Sequence, residues 1–319
     1  MCQALEVSTS AAELDDWCRR WLGSPPQAEL FSGGGVSRVV ALHLVDGQDV
    51  VIKIRRPETR VYGCAVAQRR IWQAGYPCPE PLAAPAPLGE QLATAERFVP
   101  GGSELEPTIG NAERYAWALA ELVRLAPLPS EVPSLEPPPA WAWWDYPGPS
   151  LWAWQSPAER ALAAERGWAR PELTAELTWL EDLARRTRAR LSTFRAPAVV
   201  GYVDWWVEHL RWLGDSLHIV HDWDSLACQP EAIVCGFAAS TFPESLRHWV
   251  QADLAQTEAF LAGYERARGR AFSREERETC WAAGLWHNSH SISASEGGIG
   301  ARSELLKSEL PMRLRLAGL

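Results

Sequence analysis

No apolar run in this chain approaches the roughly 20 residues needed to cross a bilayer. Its first residues, MCQALEVSTSAAELDDWCRRW, lack a basic start followed by an apolar stretch. Neither a spanning helix nor a secretory leader is expected. Basic charge is also in short supply: 31 lysines and arginines stand against 40 aspartates and glutamates, a net charge of −9. A protein that grips nucleic acid or an anionic membrane needs a basic stripe to neutralise phosphates, so neither is expected as a partner. The seven cysteines, Cys2, Cys18, Cys64, Cys78, Cys228, Cys235 and Cys280, form no CxxC pair and no zinc-type cluster. Reduced, mostly buried thiols in a cytoplasmic protein are the expectation. Missing too are the P-loop pattern GxxxxGK[ST], a full GxGxxG and the HExxH zinc motif.

What is present is material for a core. The 319 residues are 47% hydrophobic and 22% charged, enough for one large domain or two lobes. Eighteen tryptophans add large apolar area, most of it expected inside. Ser10 and Glu13 form a capping-box pattern that opens an amphipathic helix to about Leu22. The stretch ELFSGGGVSRVVALHLVDGQDVVIKIRR reads as strand, glycine turn, strand, Asp46-Gly47 turn, strand. In the last of these Val51, Lys53 and Arg55 share one face, and Val50, Ile52 and Ile54 the other. Residues 60–74 read as a helix stopped by Gly75 and Pro77, and short strands are expected over 83–99. Another helix is expected over 111–126, with Tyr115, Leu119, Leu122 and Leu125 on one side. A proline- and tryptophan-rich stretch follows, APLPSEVPSLEPPPAWAWWDYPGPSLWAWQSP, which cannot be a regular helix. Then come a helix over about 171–193, a small hairpin from Leu210–Trp212 to Leu217–Val220 turning at Gly214-Asp215, and a helical tail over 244–319. Val250, Leu254, Leu261 and Tyr264 are expected along one side of the tail's first helix. The order gives an α+β chain with a small β-rich part, residues 1–99, and a larger, mainly helical part, 100–319.

Three groups of residues carry chemistry. Gly33, Gly34 and Gly35 lie between two strands, where glycine lets backbone amides approach phosphate oxygens, although a plain hairpin turn reads equally well. Lys53 stands in mid-strand among Val51, Ile52 and Ile54; it either snorkels from a sheet edge or clamps nucleotide phosphates. Asp204 and Asp222 flank the small hairpin in VGYVDWWVEHLRWLGDSLHIVHDWD. A kinase-type catalytic loop has the form D-x-x-x-x-N, in which the aspartate accepts the proton of an attacking hydroxyl and the asparagine holds a metal; a second aspartate past a short hairpin holds the bridging metal. Asp204 takes the first place and Asp222 the last, whereas two surface aspartates at turns would be the plain alternative. Asp224 could assist the metal or orient the loop. His287 and His290 lie three apart in WHNSHS and read as polar residues near a helix end. His218 and His221 fall on opposite strand faces, a poor chelate. Trp141, Trp143, Trp144, Trp152 and Trp154 could form a lid or a cation–π cage, against the simpler reading of a packed proline-rich connection.

The segments SGGGVSRVV (32–40), VVIKIRR (50–56), GYPCPEPL (75–82), TAERFVPGG (94–102), YVDWWVEHLRW (202–212) and HIVHDWDSL (218–226), in this order, resemble the aminoglycoside phosphotransferase and choline-kinase-like family. The resemblance runs over nearly the whole length. It implies a protein-kinase-like two-lobe fold with a small β-rich N-lobe and a larger, mainly helical C-lobe. It also implies ATP and Mg²⁺ as cofactors. Ser32 and Gly33 to Ser37 would cover the phosphates, with Gly34 and Gly35 among them, and Lys53 would pair with them. The backbone around Glu96, Arg97 and Phe98 would receive the adenine. Asp204 would be the catalytic base, and Asp222 and the residue at position 209 would bind the metal. The chain departs from the family in three places. Tyr202-Val203-Asp204 stands where His-Gly-Asp is usual, and valine forbids a positive φ. His209 replaces the metal-binding asparagine, and magnesium prefers oxygen to imidazole. The helix after Lys53 offers Cys64 and Gln68 but no glutamate to pair with the lysine.

The first reading is therefore an ATP-dependent O-phosphotransferase acting on a hydroxyl of a small molecule, an antibiotic or a metabolite. A catalytically weak or inactive pseudokinase-type nucleotide- or ligand-binding protein is the alternative, drawn from Val203, His209 and the absent glutamate. A cleft that binds another ligand through the tryptophans is the third.

Overall fold

The period-two alternation of Asp49–Arg55 organises the first half of the molecule. The computed structural model describes residues 9–34, 37–148, 151–152, 178–245, 250–294 and 301–319. Its main sheet consists of β1 (Pro26–Gly33), β2 (Arg38–Leu44), β3 (Asp49–Arg55), β4 (Pro81–Leu88) and β5 (Gln91–Arg97), all antiparallel in the order β1-β2-β3-β5-β4. Val50, Ile52 and Ile54 are buried on one face with Val40, Leu42, Leu44, Ala93 and Ala95. Helix α1 (Ala11–Trp21) closes that face with Leu14, Trp17 and Cys18. Each such side chain removed from water contributes roughly 1.5–3 kcal/mol, which explains why the apolar face of β3 selects its side so firmly. The capping box forms as the sequence implies: the Glu13 amide donates to Ser10 Oγ at 3.2 Å, and the Ser10 amide to Glu13 Oε2 at 2.8 Å.

Helix α2 (Thr59–Gln73) packs against β4 and reaches β5 through the Gln68–Glu96 hydrogen bond. Gly63 on α2 lies against the backbone of residues 133 and 134; a Cβ there would come within 2.6 Å of the Pro133 carbonyl oxygen, so only glycine allows the helix this close. The small hairpin is present as β7 (Leu210–Leu213) and β8 (Ser216–Val220), turning through Gly214 at φ +57°. It is tied down by Ser103 pairing with Trp212 and by the Val220 amide donating to the Pro77 carbonyl at 2.9 Å.

The chain divides into two compact units. The first takes in the residues up to Ser103 with Pro127–Glu136 and Arg211–Asp224; the second takes in Glu104–Ala126, Pro137–Leu210 and Ser225–Leu319. The second is mainly helical: α3 (Ile109–Leu125), α4 (Thr178–Thr193), α5 (Glu231–Thr241), α6 (Leu254–Ala267), α7 (Arg274–Ala294) and α8 (Ala301–Leu316). A short antiparallel pair, β6 (Ala198–Tyr202) with β9 (Leu226–Pro230), accompanies them. Val250 corrects one expectation: it precedes α6 and is exposed, because the helix begins only after its own N-cap, Asp253, whose side chain accepts the Gln256 amide at 2.7 Å. Among the described residues no helix is long and apolar enough to cross a membrane.

Candidate functional site

Lys53 is one of two lysines in a chain that otherwise uses arginine for its basic charge. It is 7% exposed, not a snorkelling edge residue. An ammonium taken that far from water needs a partner, and Lys53 Nζ donates to Asp222 Oδ1 at 2.8 Å. Burial opposes the charged ammonium, but Asp222, Asp224 and Glu96 outweigh it and lift the Lys53 pKa above the ordinary lysine value.

Asp222 is held in an uncommon backbone state, φ +64°, the one non-glycine residue with positive φ among the described residues. Aspartate tolerates this region better than most side chains. Trp223 pins the turn: it is buried, its indole N–H donates to the Val220 carbonyl at 2.8 Å, and its ring meets Tyr76 edge-on at 6.0 Å. Asp224, one residue further on, pairs with Arg55, and its carbonyl accepts from Arg60 at 2.7 Å. Two carboxylates two residues apart thus meet two cations two residues apart on β3. Of the two roles open to Asp224, orienting the loop is the one these contacts favour.

The glycine turn is described at Gly33, Gly34 and Ser37, while Gly35 lies outside the described residues. Gly34 has φ +116°, and a Cβ on it would sit 2.0 Å from the Ser37 carbonyl oxygen. Here glycine is required by geometry. Ser32 Oγ donates to Glu29 at 2.6 Å. At the other end of the sheet the amides of Arg97 and Phe98 already donate to the carbonyls of Glu80 and Asp49, both at 2.9 Å. Phe98 lies edge-on to Phe31 of β1 at 5.8 Å. The Glu96 side chain is buried and accepts from Gln68 Nε2 of α2 at 2.9 Å. Sequence alone assigns only backbone chemistry to Glu96, because the partner of its carboxylate lies 28 residues away on another element.

In the helical unit, Asp204 follows β6 on a loop fixed from several sides. The Val203 amide donates to the Ser225 carbonyl at 3.0 Å, Trp141 Nε1 donates to the Val203 carbonyl at 3.0 Å, and Trp205 Nε1 to the Tyr115 carbonyl at 3.2 Å. Val203 is fully buried without a positive φ, which removes the conflict anticipated for a non-glycine there. His209 Nδ1 lies 2.8 Å from the Asp204 carbonyl and 3.3 Å from Tyr202 Oη, and its ring stacks on Trp206 with an interplanar angle of 1°. Among the described tryptophans of this stretch, Trp141 and Trp144 donate hydrogen bonds, Trp144 to Gln229, and Trp152 is fully buried. Trp154 lies outside the described residues.

His287 and His290 are buried in α7 rather than placed at a polar helix end. Burial, and then Arg302, push the His287 pKa down to about 3 from an ordinary 6.5. The unfolded chain therefore binds a proton first as pH falls. The stability from a neutral His287 is complete above pH 6.5 and is lost towards pH 3, at a slope of about 1.4 kcal/mol per pH unit. A His287→Gln variant is expected to lose stability less steeply than the parent from pH 6.5 to 4.5 in urea titrations; parallel slopes would remove His287 from the acid response.

No family model matches this sequence, nor does any curated protein. Solved structures do match its fold. An amicoumacin kinase in complex with AMP-PNP, Ca²⁺ and Ami superposes with a TM-score of 0.59 at 11% identity, over 96% of this chain and 93% of that one. A choline/ethanolamine kinase family protein from Mesorhizobium loti gives 0.57 at 15% identity, over 95% and 99%. A macrolide 2′-phosphotransferase from Brachybacterium faecium gives 0.51 at 18% identity, over 95% and 97%. The chain has the protein-kinase-like α+β fold that these small-molecule kinases share.

Proposed function

We propose that this protein is an ATP-dependent O-phosphotransferase acting on a hydroxyl of a small molecule. The Lys53–Asp222 pair carries the reading: a buried strand ammonium meets a carboxylate held at positive φ, one hairpin after an aspartate loop. Phosphoryl transfer asks a protein for little covalent chemistry and much positioning of charge. Lys53 supplies a fixed cation for the phosphate oxygens, and the turn at Gly33 and Gly34 supplies backbone that can approach them. Asp204 orients the acceptor hydroxyl and takes its proton.

The residues fit a magnesium ion at Asp222, a hard oxygen donor on a side chain 39% exposed. His209 engages the Asp204 carbonyl through Nδ1, so its ligand chemistry lies at Nε2, and it is the poorer donor for magnesium. When bound, the ion supplies neutralisation of charge on the transferring phosphates. The solved complexes with AMP-PNP and with ADP among proteins of the same fold support the nucleotide assignment.

Titration calorimetry with Mg·ATP is expected to show binding at sub-millimolar nucleotide, and transfer of the γ-phosphate to at least one member of a panel of hydroxylated antibiotics and metabolites should follow. No heat at millimolar Mg·ATP would sink the proposal.

A further inference from the structure

The lysine that grips phosphates must itself be held in place, and α2 offers no carboxylate to do it. The face of β3 that carries Lys53 is continued on β5. Register pairs Lys53 with Thr94 and Val51 with Glu96, so Lys53 and Glu96 project from the same side of the sheet on neighbouring strands, one step apart on the diagonal. Both are buried, at 7% and 8% exposure. Gln68, on α2, donates its amide to Glu96 Oε2 at 2.9 Å and to the Pro79 carbonyl at 3.3 Å. A neutral glutamine on the helix thus steadies an acid on the strand.

We infer that Glu96 is the positioning carboxylate for Lys53, moved from the helix to the strand beside it, with Gln68 fixing its side chain. The inference rests on the phosphotransferase reading and adds to it a residue that acts through the lysine and not on the substrate. The enclosed cavity at this place, lined by Arg55, Gln68, Thr94, Glu96 and Asp224 among others, measures only about 20 Å³. That is room for one water and not for a phosphate. Asp222 sits on the other side of the bargain: it is half-exposed, bonded to the ammonium, and assigned to metal. Were Asp222 to hold a metal, Glu96 would remain as a buried acid on the face of the sheet that carries Lys53. Arg55 pairs with Asp224 and Lys53 with Asp222; Glu96 makes no direct ion pair with the ammonium and acts on it as a buried charge on the neighbouring strand.

Glu96→Gln keeps the shape and removes the charge. It is expected to remain folded, with a melting temperature within a few degrees of the parent, and to lose roughly ten- to hundredfold in kcat/KM for ATP through a misplaced lysine. The acceptor KM should move less than threefold, about the scatter of such measurements. The exchange variant Gln68→Glu with Glu96→Gln returns a carboxylate to the helix with the hydrogen bond reversed, and it should recover most of the loss. A folded Glu96→Gln protein within twofold of the parent would overturn the inference, as would a loss that persists unchanged in the exchange variant. Both outcomes are distinct from failure of the phosphotransferase reading itself, in which the unaltered protein would bind no Mg·ATP.

Discussion

Replacing Lys53 with methionine is expected to lower kcat/KM for ATP by about 10²–10³-fold, the usual effect of removing one preorganised electrostatic group at a site of charge development. Methionine matches the length and flexibility of the lysine stem, so the packing of β3 between β2 and β5 should survive. The loss of the ammonium leaves two acids behind. Asp222 can hydrate, since its side chain is 39% exposed, and its loss of a partner costs little. Glu96 is buried; burial already raises its carboxyl above the ordinary range, and loss of Lys53 removes a charge that lowers it. Its hydrogen bond from Gln68 remains, so the fold should tolerate the change. Lys53→Arg is not expected to rescue turnover to a tenth of the parent. A planar guanidinium cannot enter a site shaped around a point charge and makes its bonds in a fixed fork. Steady-state kinetics with varied ATP, with circular dichroism to confirm folding, checks both variants. A Lys53→Met enzyme as active as the parent would remove the lysine from the phosphate role and leave the Lys53–Asp222 bond as structure only.

Local periodicity made much of this legible. Alternation in DVVIKIR placed Ile52 and Ile54 inside and Lys53 opposite them, because a strand has only two faces and one was covered. The Asp46-Gly47 turn, the Ser10–Glu13 cap and the 210–220 hairpin were equally readable, since each is decided by residues within four or five positions of one another. What sequence could not supply was the partner of each charge. Lys53 and Asp222 stand 169 positions apart, and Gln68 and Glu96 28 apart; only the folded chain brings them together. The helix after Lys53 carries no acid for it, and the acid that bonds it, Asp222, follows the small hairpin far along the chain. One signal was present and unused: a chain with two lysines among 31 basic residues had kept one of them in mid-strand. Arginine can serve a surface, but it cannot replace a compact ammonium in a narrow site. Val203 shows the converse error. The family pattern suggested a glycine-only backbone, but the strand simply continues into the loop with its amide bonded to Ser225, and a buried valine fits.

Asp204→Asn is expected to reduce kcat by about 10²–10⁴-fold, the range for loss of a general base, while the Mg·ATP dissociation constant stays within about twofold, since removing a group that acts only in the transition state does not weaken ground-state binding. The asparagine is nearly isosteric. The loop's backbone is held by Ser225, Trp141 and the buried Trp205, and His209 Nδ1 lies 2.8 Å from the Asp204 carbonyl. Positioning of the acceptor should therefore persist, and proton removal alone should fail. Isothermal titration with Mg·ATP separates the two effects, and single-turnover transfer sharpens the test by isolating the chemical step. His209→Asn provides the control for the scaffold around it. It removes the ring that stacks on Trp206 but leaves Asp204 in place, so it should lower the single-turnover rate less than Asp204→Asn does. An Asp204→Asn protein that turns over like the parent would mean that the acceptor hydroxyl loses its proton elsewhere, and that the buried, tryptophan-braced loop serves only to shape the helical unit.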